Sequence, residues 1–494
     1  MGKVICMMKK GMISALILLA LVIAMACDVS APSDSGTSTD DPGGSNTISY
    51  GEDDVLYVSV AGSDSYTGTQ SKPFKTIQFA VNIAASHNFS EIHVSQGVYS
   101  VDGADRIGDH TSSGVCIKKD VSLYGGYSTS WSMRNPAVYT TTIRDATTVD
   151  SGSFSYPNRV IYLGPNITSS ACIDGFTIRG GAGEYNSGIF MDGASATITN
   201  NVIYGGSSTG SENYGITTWE GSPVIENNDI HGGDGPVYTR GINTHYTSAR
   251  IIGNHIHGGG GTTAAYGIDE YYSASLIMNN IIDEFSTDGV IYGITLTGSA
   301  TYIVNNVIKT SGFDAMKTCG IANQTSQVDN ITCYIYNNSI DGGDGDLGAS
   351  GITLTEGHVY INNNIIFLTG GSAMNSFGIC EEFSDSDPLS VDNNAVYNCA
   401  TALYRDDDYI FYDAYMTSVA GGNFVNADGG PMIRPTGHGN LNVNPYVNVS
   451  TLACTSSTPL SVKQGGKNLS ALFTTDINGN TRTVPWSIGA FESD

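Results

Sequence analysis

A pair of residues, Gly-Ile, returns along this chain at Gly188, Gly215, Gly241, Gly267, Gly293, Gly320, Gly351 and Gly378, at spacings of 27, 26, 26, 26, 27, 31 and 27. A second mark, Asn-Asn, interlocks with it at Asn200, Asn227, Asn279, Asn305, Asn337, Asn363 and Asn393, with Gly253-Asn254 completing the series. Self-similarity at such a period constrains the fold more than any other property, because each unit must bury its apolar face against copies of itself. Units rich in glycine and in β-branched pairs such as Val224-Ile225 and Ile251-Ile252 exclude a helical repeat and predict short strands. Stacked at the strand spacing of about 4.8 Å, the isoleucines from Ile189 to Ile379 become one internal ladder. The asparagines become a second ladder at a bend, where side-chain amides satisfy backbone groups left over by the turn. Gly-Gly pairs such as Gly232-Gly233 and Gly258-Gly259 allow the positive φ of the next corner.

Three strands per unit and right-handed crossovers give an all-β, single-stranded, right-handed parallel β-helix of about 12 coils, spanning residues 48–400. Ile92-His93-Val94, Val121-Ser122-Leu123 and Ile161-Tyr162-Leu163 read as earlier, less regular coils. Ile77, Ala80, Val81 and Ala84 follow helical spacing after Pro73, predicting a short helix that caps the open first coil. The period fades after Cys399, leaving 401–494 as a β-rich closing segment.

The start of the chain predicts export. Lys3, Lys9 and Lys10 precede an apolar run from Met12 to Ala24, and small residues lead to Cys27, so 1–26 reads as a signal peptide. Ala24-Met25-Ala26-Cys27 resembles the lipobox of bacterial lipoproteins, which implies a lipid on Cys27 and an outer-membrane or cell-surface location. Ala24 stands where that motif carries Leu, and plain cleavage at the same point is the alternative. Residues 27–47, almost all Ser, Thr, Asp, Gly and Pro after the cysteine, read as a flexible tether. The membrane would be met through the lipid anchor only.

Charge limits the partners. The net charge is −26, and removing the three signal lysines leaves 18 basic against 47 acidic residues, or −29. Nucleic acid is thereby excluded as a partner held by general electrostatics. Of nine cysteines, Cys6 and Cys27 belong to the exported start. Cys319 with Cys333, and Cys380 with Cys399, are near enough in sequence to pair, but buried thiols are the equal alternative.

The stretch YVSVAGSDSYTGTQSKPFKTIQFAV, from Tyr57 to Val81, resembles the opening of pectate-lyase-like β-helix proteins, including a bacterial family of unknown function. The ending DINGNTRTVPWSIGAFE, from Asp476 to Glu492, resembles the closing motif of right-handed parallel β-helix repeat proteins of bacterial surfaces. That superfamily holds polysaccharide lyases, glycoside hydrolases and epimerases, so the resemblance implies a fold rather than an activity. Polygalacturonase-like motifs reduce to Gly437-His438-Gly439, which lies after the coils and lacks the preceding carboxylate pairs. Pectate-lyase-like chemistry needs a base beside calcium-binding carboxylates, and Arg240, Arg250, Lys309 and Lys317 sit in no such motif. No cofactor is expected. Calcium is the one ion for which residues can be nominated, at Asp341, Asp344 and Asp346, or at Asp229 with Asp234, although Asp and Gly favour corners without a metal.

Reading columns across coils gives the candidate site. With the Gly-Ile isoleucine inward, offsets of two and four from the glycine should face out. Offset two carries Thr217, Asn243, Asp269 and Thr295; offset four carries Trp219, His245, Tyr271 and Thr297. Glu220 and Glu270 lie beside them. A row of rings flanked by polar groups suits a polysaccharide or surface glycan. The expected ligand-binding residues are therefore Trp219, Asn243, His245, Asp269, Glu270 and Tyr271. Catalytic residues stay unassigned; a non-catalytic glycan-binding surface protein is preferred, and a polysaccharide lyase or hydrolase on the same face, with Glu220 and Glu270 as an acid/base pair, is the alternative.

Overall fold

The computed structural model describes residues 49–493, apart from 52, 102–104, 108–110, 146–157, 182–184, 208–210, 236, 312–314, 325–330, 356–357, 370–374, 384–385, 387, 407–408 and 412–438. The signal peptide, Cys27, the tether, and Gly437-His438 of the Gly-His-Gly motif lie outside the described residues. So do residues 325–330 in the unit that is five residues longer than its neighbours.

Three parallel sheets of 12, 12 and 13 strands run side by side, and the chain visits each once per turn. The Gly-Ile sheet is built from strands such as Glu212–Trp219, Tyr238–His245, Ala264–Tyr271 and Val290–Thr297. A pre-Asn sheet follows (Val224–Glu226, Arg250–Ile252, Leu276–Met278), then a post-Asn sheet (Asp229–His231, His255–Gly261, Ile281–Phe285). The fold is a right-handed parallel β-helix. Ten turns carry a strand in all three sheets, from Thr111–Ile117 to Ala395–Tyr397. The figure of about 12 coils is reached only by counting incomplete end turns. Those turns close on hairpins, where Asp105–Ile107 and Tyr409–Phe411 pair antiparallel with their neighbours.

Three columns of isoleucine fill the interior. Ile216, Ile242 and Ile268 of the Gly-Ile sheet, Ile225, Ile251 and Ile277 of the pre-Asn sheet, and Ile230, Ile256 and Ile282 of the post-Asn sheet are all fully buried. They stack in register from turn to turn. The glycine before each Gly-Ile isoleucine is fixed by close approach. A Cβ on Gly267 would stand 2.3 Å from Ile282 Cγ2 and 2.6 Å from the Gly293 carbonyl. Gly and Ile thus both face inward, a local break in strand alternation at every Gly-Ile pair.

The Asn-Asn pairs divide two tasks that the sequence reading had merged. The first residue takes the left-handed conformation, as at Asn200, Asn227, Asn279 and Asn305, with φ between 54° and 57°. Gly253 fills that place at φ 66°. The second forms the buried ladder: Asn228, Asn254, Asn280 and Asn306 each give their backbone N–H and side-chain amide to the Oδ1 of the next. The ladder runs on past the visible period, since Asn394 donates to Asn440 Oδ1. In the later coils the first asparagines dock the end of the chain. Asn305 holds the Thr475 carbonyl, Asn337 those of Ser487 and Gly489, and Asn363 that of Lys467.

Helix α1, Ile77–His87, starts on Thr76, whose hydroxyl accepts from Phe79 N–H, and ends on left-handed Asn88. It buries Ile77, Ala80, Val81 and Ala84 beside the first coils, which removes the open edge. Strand Ala402–Asp406 continues the Gly-Ile sheet. From 439 onward the described residues hold isolated bridges and one short helix, α2, Leu460–Lys463. The suggested cystine pairs do not form: Cys319, Cys333, Cys380 and Cys399 are thiols. Cys319 sits on the Gly-Ile sheet and Cys333 on the pre-Asn sheet, separate faces of one turn.

Candidate functional site

The alternation break at each Gly-Ile pair decides what the Gly-Ile sheet presents outside. Offset three, the column Thr218, Thr244 and Glu270, faces the interior, and all three are fully buried. Glu270 accepts hydrogen bonds from Thr244 (3.3 Å) and Thr301 (2.6 Å) hydroxyls. Burial pushes its carboxyl above the ordinary range against those bonds. Glu270 is therefore corrected from a ligand-binding residue to an interior one, and it cannot serve with exposed Glu220 as an acid/base pair.

Offset four builds the expected row. The Trp219 and His245 rings stack at 4.7 Å, and His245 and Tyr271 at 4.9 Å with planes 4° apart. Both faces of His245 are thereby covered by its neighbours. The open surfaces are the ring edges and the ends of the stack, where Trp219 is 45% exposed. Offset two lies outside but is covered: Asn243 and Asp269 are buried beneath the flanking side chains. His245 Nε2 lies 2.8 Å from Asn243 Oδ1 and so donates to it. Burial holds the His245 imidazole below its usual pKa. The Asp269 carboxylate, with burial, holds the Tyr271 hydroxyl above its own.

Two further features were not read from the sequence. Arg240, at offset minus one, was weighed only as a possible base, and the break at Gly241 turns it to the outside of the sheet. Its guanidinium meets Asp269 at 2.6 Å and Glu212 at 3.2 Å. It also lies 4.9 Å over the Tyr266 ring. Offset five carries Tyr246 and Tyr272, stacked at 5.4 Å and 58% and 41% exposed. Both hold positive φ, 55° and 47°, a costly conformation for a bulky side chain. Gly193 and Gly298, at the same offset in other coils and both at positive φ, were the available signal. Five aromatic rings from three coils thus line one margin of the Gly-Ile sheet. Farther along the same sheet a cavity of about 320 Å³ is lined by Lys317, Phe377, Glu382 and Arg405, among others.

The nominated calcium residues part company. Asp341 is buried and takes hydrogen bonds from Gly343 N–H and from Thr369, while Asp344, Asp346 and Asp234 are exposed. Among the described residues no helix is long and apolar enough to cross a membrane.

Stacked isoleucine columns, an asparagine ladder and three parallel sheets define the class: a right-handed parallel β-helix. Residues 60–292 match the family described as "Protein of unknown function (DUF1565)". No curated protein sequence matches the chain. Among solved structures, pectate lyase Pel9A is similar at 14% identity and TM-score 0.49, covering 91% of this chain and 98% of that one. XylC in complex with xylose is similar at 11% identity and TM-score 0.46, covering 88% and 98%. PfbA, a surface adhesin of Streptococcus pneumoniae, is similar at 12% identity and TM-score 0.35, covering 74% and 95%.

Proposed function

We propose that this chain is an exported, lipid-anchored surface protein that binds glycan, without cleaving it, on the outer face of its Gly-Ile sheet. The observation that carries the reading is the aromatic margin made by Trp219, His245, Tyr271, Tyr246 and Tyr272. Exposed rings offer C–H-rich sugar faces a flat apolar contact, and their clustering at one edge is uncommon on a surface without a ligand. The end face of Trp219 and the exposed tyrosine pair take the sugar rings; the Tyr271 hydroxyl and the edge of His245 bond hydroxyl groups. Arg240, already neutralised by Asp269 and Glu212, supplies no free cation, so the face suits neutral sugars better than uronates. Export and the anchor rest on the first 47 residues of the sequence.

A glycan array probed with residues 48–494 is expected to give a defined set of binders. Trp219→Ala and Tyr271→Ala should each weaken them about tenfold, the effect of roughly 1.4 kcal/mol of lost stacking. Tyr246→Gly should lower binding without lowering stability, since glycine accepts the positive φ freely. Tyr360→Ala, on a stacked ring of the pre-Asn sheet, should bind like wild type. Equal binding by wild type, Trp219→Ala and Tyr271→Ala would rule out this face.

One observation favours the lyase alternative. With Nε2 donating to Asn243, the neutral His245 imidazole keeps Nδ1 as an acceptor, as a base requires. The neutralised Arg240 argues against it, because no group remains to balance the charge of a uronate. Incubation with assorted polysaccharides is expected to give neither absorbance near 235 nm nor new reducing ends; either product would establish the enzyme.

A further inference from the structure

On a different face, the post-Asn sheet stacks three successive coils so that histidines meet carboxylates. Register places Asp229 against His255 and places His231, His257 and Asp283 in one column. His257 is the buried centre of this group at 8% side-chain exposure. Its Nε2 lies 2.8 Å from Asp229 Oδ1 in a sound hydrogen bond, so that nitrogen carries the proton and donates it. The other nitrogen, Nδ1, is buried and finds no hydrogen-bond partner. Yet it points toward Glu284 Oε2 at 3.0 Å and Asp283 Oδ1 at 3.7 Å. A lone pair aimed at two carboxylates is repelled by both; a cation or a second ring proton between them removes the repulsion, and with three donor atoms converging a metal ion can be held by all of them at once. Asp283 is held in turn by His255 Nε2 at 2.8 Å.

The geometry points to a site for a zinc-class divalent cation, bound by His257 Nδ1, Asp283 and Glu284, whose ligand atoms all lie within 4.8 Å of one another. One imidazole and two carboxylates suit zinc, with bonds of about 2.0–2.2 Å, and do not suit the all-oxygen shell that calcium prefers. Asp229 completes the arrangement from behind. A histidine that ligates through one nitrogen commonly donates the other N–H to a carboxylate, which fixes its tautomer and orientation. His231 stacks on the His257 ring at 4.1 Å and holds it in plane. Three protein ligands leave one tetrahedral position open to water or to a ligand atom. The ion ties the coil of His255–Gly261 to that of Ile281–Phe285.

The test titrates the untagged full chain, stripped with chelator, with Zn2+ against a fluorescent zinc indicator, in parallel with Ca2+. Saturable binding of one Zn2+ at this site is expected, with equimolar Ca2+ failing to displace it. Glu284→Gln, on an exposed side chain with little bearing on folding, should weaken binding at least tenfold. Asp283→Asn and His257→Gln should weaken it further, Asp229→Asn about tenfold through the lost orientation of His257, and His358→Gln not at all. No saturable zinc binding, displacement by equimolar calcium, or unchanged affinity in both Glu284→Gln and His257→Gln would overturn the site and leave a network of imidazole–carboxylate ion pairs.

Discussion

Asn280→Ala is expected to destabilise the solenoid by about 4 kcal/mol, whereas Asn279→Gly beside it should cost within about 0.5 kcal/mol. Asn280 is fully buried and holds four contacts at once. Its Oδ1 accepts from Asn254 backbone N–H and side-chain amide, and its own amide donates to the Ile251 carbonyl and to Asn306 Oδ1. Alanine leaves the partners in a dry interior, where each stranded group costs about 1–3 kcal/mol. Asn279 contributes a left-handed backbone at φ 57°, and Gly253 shows that glycine fills this position. Urea unfolding followed by circular dichroism reads the total loss. Hydrogen exchange reads its location, because nearest-neighbour coupling should confine early opening to the coils around 251–306. Similar losses from both variants would mean that the ladder is not the inner asparagine column.

The second large effect concerns Glu270. Its folded pKa is raised by burial, so the folded chain holds a proton that the unfolded chain has released. Between the ordinary glutamate value and the raised one, unfolding releases a proton and stability falls as pH rises, by at most about 1.4 kcal/mol per pH unit. Below the ordinary value that cost is absent. Glu270→Gln keeps an acceptor oxygen for one of the Thr244 and Thr301 hydroxyls, offers its NH2 to the oxygen of the other, as a protonated carboxyl offers its O–H, and cannot ionise. It should match wild type in stability near pH 4 and exceed it increasingly toward neutral pH. Denaturation midpoints across that range check the sign: a variant less stable than wild type at neutral pH would show that the charged carboxylate is favoured inside.

Why some of this was legible in the sequence and some was not follows from the Gly-Ile pair. Inward isoleucines and stacked asparagines depend only on period, and the period is printed in the chain. Which residues face out depends on strand parity, and parity is reset where Gly and Ile both turn inward. Offset four survived that reset, which is why Trp219, His245 and Tyr271 align. Offset minus one lies across the reset, so the outward position of Arg240 could not be counted from the isoleucine, whereas Glu270 was misplaced by its nearness in sequence to Tyr271, since offset three shares the isoleucine's inward parity. The merging of the two asparagines had a similar origin, since neighbours with opposite roles share one spacing. The metal cluster was hidden differently. His255 and His257 are ordinary in their own strand, and Asp229 and Asp283 join them only when the post-Asn columns are read across coils.

The most direct test of the central proposal is hydrogen–deuterium exchange on the chain with and without its tightest-binding oligosaccharide from the array. Protection confined to 212–219, 238–246 and 264–272 is the predicted result. Protection centred on the pre-Asn or post-Asn strands, with these three unchanged, would contradict it.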